Sequence, residues 1–299
     1  MRIIPIAFVI ALFALSPLLS LSVASASASN PLVSVAPTPR INQMSSVLLR
    51  AMAKCTDCWA GYGIGSPNDN TFTSVQTNMT VPKITCNDAL VNQYGEQEST
   101  WGVFIDGYNT EDFAGATFVG YCFNTNGNNT ATAEYYSQWF AVNATSLVSV
   151  GNIFPSYGAG DKLFLGISEA SGTFTFTIDD YTLGCPTYCI TNTSSGWTGM
   201  SYNSAECISD MGFSTYARGG AFMAVPSVAW KSVPFTNCKV DGLHLRLTPI
   251  GGVKSKTDTL TTYTAVSQYK KKGKTITLAE PTALTGKDNF NVDWKNDGP

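Results

Sequence analysis

Six carboxylic side chains are candidates for moving protons: Asp106, Glu111, Asp112, Glu134, Glu206 and Asp210. A carboxyl set among aromatic rings keeps its proton to higher pH and can act as acid or base in acidic surroundings. Glu134, beside Tyr135 and Tyr136, fits that description, and Glu206 is a second candidate. Other chemistries lack their partners. The one histidine, His244, sits in an alternating stretch beside Arg246, and Gly-x-Ser-x-Gly and His-Glu-x-x-His are both absent. Ser-His-Asp, Cys-His and histidine-metal sites therefore have no basis here.

The elements that must hold these groups are short strands. Thr100 to Phe140 contains three aromatic segments separated by Gly/Asn-rich punctuation: Trp101 to Asp106, Phe118 to Tyr121, and Tyr135 to Phe140. Segments of this length and composition read as strands. If they pair, Asp106, Glu134 and Gln138 are candidates for one shared face. Glu134 and Gln138, four residues apart, would face the same way about 13 Å apart on an unbulged strand.

Period-two patterning continues outside this stretch. Strands are expected over Phe72 to Val81 (stopped by Pro82), Ala133 to Val142, Leu163 to Ile167, Phe222 to Val225, Val228 to Val233 and Leu243 to Thr248. Ser171 to Ile178 alternates strictly, with Thr173, Thr175 and Thr177 on one face and Phe174, Phe176 and Ile178 on the other. No apolar stripe of three helical turns follows residue 55. Many short antiparallel strands with Gly, Asn and Pro turns predict an all-β antiparallel sandwich of two curved sheets.

Of 299 residues, 13% are Asp, Glu, Lys or Arg, about half the usual share. Net charge is -3, which gives no reason to expect nucleic acid as a partner. Met1-Arg2, an apolar run from Ile3 to Val23 and the Ala-Ser-Ala exits at 24–28 read as a signal peptide over 1–28. Pro5 and Pro17 and the small-residue exit favour cleavage over a retained anchor, so no stable membrane span is expected after its removal. Residues 29–54 form an N-terminal arm, linker or pro-segment, with a short helix expected from Gln43 to Ala53.

Export also decides how the eight cysteines read. Cys55, Cys58, Cys86, Cys122, Cys185, Cys189, Cys207 and Cys238 are an even set in a secreted or cell-surface chain, and are expected to form disulfides of undetermined connectivity. No metal and no cofactor is expected. Sequons stand at Asn78, Asn128, Asn143 and Asn192. From Gly251 to Pro299 the chain is net positive (+3), with a lysine run over Lys270 to Lys274, while the part before it is -6. The run reads as a solvated turn, with Thr275 to Leu278 expected to pair with Thr261 to Val266. Residues 243–299 are taken as a C-terminal β extension, either extra strands or a small appended module.

Several ordered motifs between Cys55 and about Gly242 resemble the glutamic peptidases, or eqolisins, once grouped with aspartic peptidases as A4. Cys58-Trp59-Ala60-Gly61 resembles their Asn-Trp-Ala-Gly opening. Phe72-Thr-Ser-Val and Met79-Thr-Val-Pro82 resemble the next strand, and Trp101 with Ile105-Asp106-Gly107 resembles Trp-Val-Gly-Ile-Asp-Gly with one extra residue. Ser204-Ala-Glu-Cys-Ile-Ser-Asp210 resembles their Ala-Glu-Trp-Ile-Val-Glu segment, and Val233-Pro-Phe-Thr-Asn237 their closing Val-Thr-Phe-Thr-Asn.

This resemblance implies a curved sandwich over 55–242 and acid endopeptidase activity from a Gln and a Glu. The Glu would activate water and protonate the leaving nitrogen; the Gln amide would steady the oxyanion. In the register read here, Phe118 stands at the Gln position and Gln138 at the Glu position, so the dyad is replaced. Glu134-Tyr135-Tyr136 offers a second match to Glu-Trp-Tyr. The candidate catalytic set is Glu134, Gln138, Asp106 and Glu206. Trp59, Gln76, Trp101, Phe118, Tyr136 and Trp139 are expected to line the cleft. Two functions follow: an acid-acting endopeptidase on polypeptide substrates, or an inactive sandwich binding glycan, peptide or a partner surface through Tyr121, Tyr135 and Trp139. A structural envelope component is a third.

Overall fold

The structure is a computed structural model. It describes residues 59–65, 72–106, 112–124, 130–142, 147–153, 157–185, 188–197, 200–211, 213–214, 223–224, 226–242, 245–254, 259–267 and 276–295, all within the compact unit Pro37–Pro299. The signal peptide, the N-terminal arm with its short helix, Cys55, Cys58, Glu111, the sequons at Asn128 and Asn143, His244 and the Lys270 to Lys274 run lie outside the described residues.

The strands in chain order are β1 Trp59–Gly65, β2 Phe72–Thr80, β3 Glu96–Asp106, β4 Phe113–Asn124, β5 Ala131–Val142, β6 Leu147–Ile153, β7 Lys162–Ala170, β8 Thr173–Asp180 and β9 Cys189–Ser195. They continue with β10 Ser204–Met211, β11 Phe213–Ser214, β12 Met223–Ala224, β13 Ser232–Gly242, β14 Leu245–Pro249, β15 Thr259–Tyr263, β16 Ala265–Ser267, β17 Ile276–Pro281 and β18 Phe290–Trp294. One seven-stranded sheet runs β15-β1-β10-β3-β4-β5-β6. A nine-stranded sheet runs β16-β17-β18-β13-β2-β7-β8-β9, with β14 on β13, and β11 and β12 form a small ribbon. This is the antiparallel all-β sandwich expected from the patterning.

Inward-facing residues of both sheets fill the space between them. Trp101, Val103, Ile105, Ala116, Phe118 and Trp139 come from the seven-stranded sheet. Phe72, Val75, Leu165, Phe174, Phe176 and Phe235 come from the other. The strict alternation over β8 holds: Phe174, Phe176 and Ile178 are buried while Thr173, Thr175 and Thr177 are half-buried. Ser171 and Gly172, both at positive φ, make the two-residue hairpin before it.

One seven-residue helix, α1 (Asp88–Tyr94), precedes β3. The Asn87 side chain accepts from the Ala89 and Leu90 N–H groups at its start, and Gly95 closes it in the left-handed region. Among the described residues no helix is long and apolar enough to cross a membrane.

One expectation changes, and one left open is resolved. Val228 to Val233 is not a strand: Ala229 makes an isolated bridge to Thr85, and β13 starts only at Ser232. The segment, with Pro226 and Ser227 before it, is held by scattered bonds in place of a continuous ladder: Glu98 N–H donates to the Pro226 carbonyl, the Gln97 side chain to the Ser227 carbonyl, and Ala229 exchanges backbone bonds with Thr85. Its alternating apolar residues are buried by packing, with Trp230 edge-on to Trp101 at 5.2 Å. Of the two readings of the tail, the described strands are the extra strands: they form no separate sheet. β15 extends the seven-stranded sheet from β1, while β16, β17 and β18 extend the other from β13. The expected tail hairpin is met only in part: Ala265 and Val266 pair with Ala279 and Thr277 of β17, while Thr261 to Tyr263 pair with β1 instead.

Candidate functional site

β10 shows how the sheet sorts its side chains. Ala205 and Cys207 face the inter-sheet core, so Glu206 and Ile208 face the other way. On that far face Glu206 stands between Gly63 of β1 and Phe104 of β3. Gly61, Gly63 and Gly65 recur at period two, so β1 contributes no side chain there apart from Trp59. At Gly61 (φ 148°) a Cβ would come within 2.4 Å of the Cys207 carbonyl oxygen, so only glycine lets β1 lie this close to β10. Aromatic rings border the position: Trp59 stacks on Phe104 at 6.3 Å, and Phe140 packs against both Phe104 and Phe113. Gly115 makes room for Phe104 and Phe140, each 2.9 Å from where its Cβ would stand.

Glu206 is fully buried. Burial takes both carboxyl oxygens out of water, and the Ser204 side chain is the donor that opposes the effect. Desolvation holds its pKa well above the usual carboxylate range, with Asp106 adding to it electrostatically. Burial therefore favours the neutral, proton-donating form of the carboxyl.

Asp106 ends β3 on the same far face, at φ 62°. Its carboxylate accepts from the Tyr202 and Asn203 N–H groups, both at 2.6 Å, and from the Ser201 hydroxyl at 3.1 Å. Burial outweighs these three donors and pushes its pKa up to about 6. Asp106 thus fastens the loop that leads directly into β10 and sets where Glu206 stands.

The other sequence candidates are dispersed. Gln138 and Tyr136 lie on the far face, buried in β5. The Thr117 hydroxyl donates to the Gln138 backbone carbonyl at 3.0 Å. β5 is three strands from β10, which separates Gln138 from Glu206 by about 14 Å across the sheet. Glu134 shares the face but is exposed at the far end of β5, opposite Tyr121. Asp106, Glu134 and Gln138 thus share one face without meeting.

Trp101, Phe118 and Trp139 point the opposite way, into the inter-sheet core. Phe118 stacks on Trp101 and Tyr135, and Trp139 on Phe176. Tyr135, facing inward, donates its hydroxyl to the Pro82 carbonyl, so it forms no platform with the outward Tyr121. Gln76, in the nine-stranded sheet, alternates with the buried Val75 and Thr77 and faces away from that core. The register that sets Phe118 and Gln138 in the places of a Gln/Glu pair puts those two residues on opposite faces of one sheet, where no pair can form.

The signals for the missed neighbours were the period-two glycines of β1 and Phe104 and Phe140 at matching parity. Six of the eight cysteines are described, paired as Cys86–Cys122, Cys185–Cys189 and Cys207–Cys238. The last ties β10 to β13 in the opposite sheet, directly behind Glu206.

Solved structures share this arrangement. A crystal structure of scytalido-glutamic peptidase with a peptide-based transition state analog is similar with a TM-score of 0.56 and 16% identity, over 81% of this chain and 100% of that one. The structure of SCP-B, an eqolisin in complex with the tripeptide Ala-Ile-His, is similar with a TM-score of 0.52 and 15% identity, over the same shares. These likenesses show the fold. A sequence search of curated proteins finds no match. The family model for the Peptidase A4 family matches residues 57–279, and this chain belongs to that family, the glutamic peptidases.

Proposed function

We propose that this protein is an exported peptidase acting in acid, with Glu206 as the carboxyl that exchanges protons with water and the leaving nitrogen. The observation that carries this reading is a fully buried carboxyl with a raised pKa, set between a glycine strand and a row of aromatic rings. A neutral acid can protonate an amide nitrogen as it leaves; its conjugate base can take a proton from water. Asp106 is a positioning residue in this scheme. The export signal and the three disulfides fit an oxidising compartment outside the cytoplasm. Residues 29–54 belong to the proposal as a pro-segment removed on maturation.

The test is digestion of denatured protein by the mature chain at pH 2–5. Glu206→Gln should lower the rate at least about 100-fold, the span expected for losing a general acid–base group. Glu134→Gln should leave it unchanged. Equal rates for wild type and E206Q would overturn the proposal.

A second reading is a non-cleaving sandwich that binds peptide, glycan or a partner surface. It draws on the separation of Gln138 from Glu206 by three strands. Binding of unfolded peptide that survives E206Q, without cleavage by either protein, would favour it.

A further inference from the structure

We propose that Asn78 is an N-glycosylation site whose first sugar rests on the ring of Phe164, so that the nine-stranded sheet carries a glycan docked on the protein's own outer face. Asn78-Met79-Thr80 is a sequon within β2. Val75, Thr77 and Met79 are buried there while Gln76, Asn78 and Thr80 are half-buried, so Asn78 faces outward. Its partner across the β2–β7 ladder is Phe164. Phe164 is also half-buried between the buried Leu163 and Leu165, so both side chains stand on the same face. Directly opposed residues have Cβ atoms about 5 Å apart.

The ring is seated for such a ligand. Phe164 lies down over Gly166, with Cε1 and Cζ at 3.0 and 3.1 Å from where a Cβ on Gly166 would be. Those ring atoms are spent on the sheet, while the residue as a whole stays half-buried, leaving part of the ring for a ligand. Tyr181, 58% exposed, stands 6.4 Å away at 41° and walls one side. Gln76 and Thr177, on either side of Gly166 in the neighbouring strands, supply polar groups at the rim. An aromatic face with a neutral polar rim suits the C–H face of a sugar.

The Asn78 hydrogen bonds in the structure engage its backbone carbonyl, which accepts from the Thr77 and Thr236 hydroxyls. Asn192 offers no such seat: it lies opposite the core residue Phe176, and its sequon hydroxyl, Ser194, accepts from the Trp197 indole.

The modification is a transfer from a lipid-diphosphate-linked oligosaccharide of the export pathway. The bond from Asn78 Nδ2 to the sugar C1 forms as the bond from C1 to the diphosphate oxygen breaks. The amide gives up one proton, and the lipid diphosphate leaves with the bonding electrons.

The experiment secretes the full chain, with its own leader, from a eukaryotic host. Wild type, Thr80→Ala, Phe164→Ala and the double variant are compared by glycopeptide mass spectrometry and thermal melting. Asn78 should be occupied in wild type and in F164A. Loss of the glycan through T80A should lower Tm by about 2–4 °C when Phe164 is present, and by less than half as much when it is absent. An unoccupied Asn78 in the secreted wild type would overturn the proposal. So would a loss in the F164A background of half the wild-type value or more. If F164A is not secreted, Phe164→Leu keeps the apolar volume without the ring face and is read the same way.

Discussion

Asp106 and Glu206 are both carboxyls on one sheet face, and burial acts on both in the same direction. For Asp106 the folded pKa is about 6 against an ordinary 3.8, so the folded state binds the proton more tightly. Its contribution to stability is complete below about pH 3.8 and is lost as pH rises through about 6, with a ceiling of roughly 3 kcal/mol. Thermal melts should therefore show higher stability at pH 4 than at pH 6.5, and Asp106→Asn should flatten that slope. The same variant removes an acceptor from the Tyr202 or Asn203 N–H group and should cost about 1–3 kcal/mol at pH 4, measured by urea unfolding. A slope unchanged in D106N would assign the pH dependence elsewhere. The identity of these two acids was legible in the sequence; their separate roles were not. No local signal says that Asp106 is met by three donors from residues 201–203, or that burial dominates at Glu206, with only the Ser204 side chain opposing it.

At the scale of elements, β10 carries the candidate acid on one side and a disulfide on the other. Cys207–Cys238 joins the two sheets across 31 residues of chain. Replacing both cysteines by alanine should destabilise the fold by about 2–4 kcal/mol, read from the denaturant midpoint. If Glu206 is the working acid, the double variant should also lose activity in conditions where it remains folded, because β10 is no longer fastened from behind. Strand existence was well marked by alternation in β2, β7 and β8. Facing was not marked in β3, β4 and β5. β3 and β4 are buried on both sides along most of their length and β5 over most of its second half, so apolar residues occupy both parities and the pattern no longer says which face is inward. That is why Trp101, Phe118 and Trp139 read as cleft residues in sequence and are core residues in space. Val228 to Val233 failed for a related reason: apolar alternation reports burial, and here Val228 and Trp230 are buried by core packing with only an isolated bridge at Ala229.

Across the whole molecule, the C-terminal residues belong to both sheets. β15 covers the edge of β1, and β18 sits between β17 and β13. Phe290 stacks on Phe235 at 5.0 Å and meets Tyr62 of the opposite sheet edge-on at 4.9 Å. Ending the chain at residue 258 would bare two strand edges and this aromatic cluster. The truncated protein should aggregate or bind a hydrophobic dye strongly, where loss of an independent module would leave a cooperative melt near that of the full chain.

Composition, alternation and turn residues by themselves determined the architecture, the oxidising compartment expected for the cysteines, and the short set of acids able to do chemistry, because each follows from local sequence and from what the chain lacks. Only the tertiary structure decided which acids share a face, which are desolvated, and that Gln138 stands three strands from Glu206. Those properties depend on strand order and on which parity turns inward. Both are set by non-local pairing, such as β10 between β1 and β3, that no window of the sequence contains.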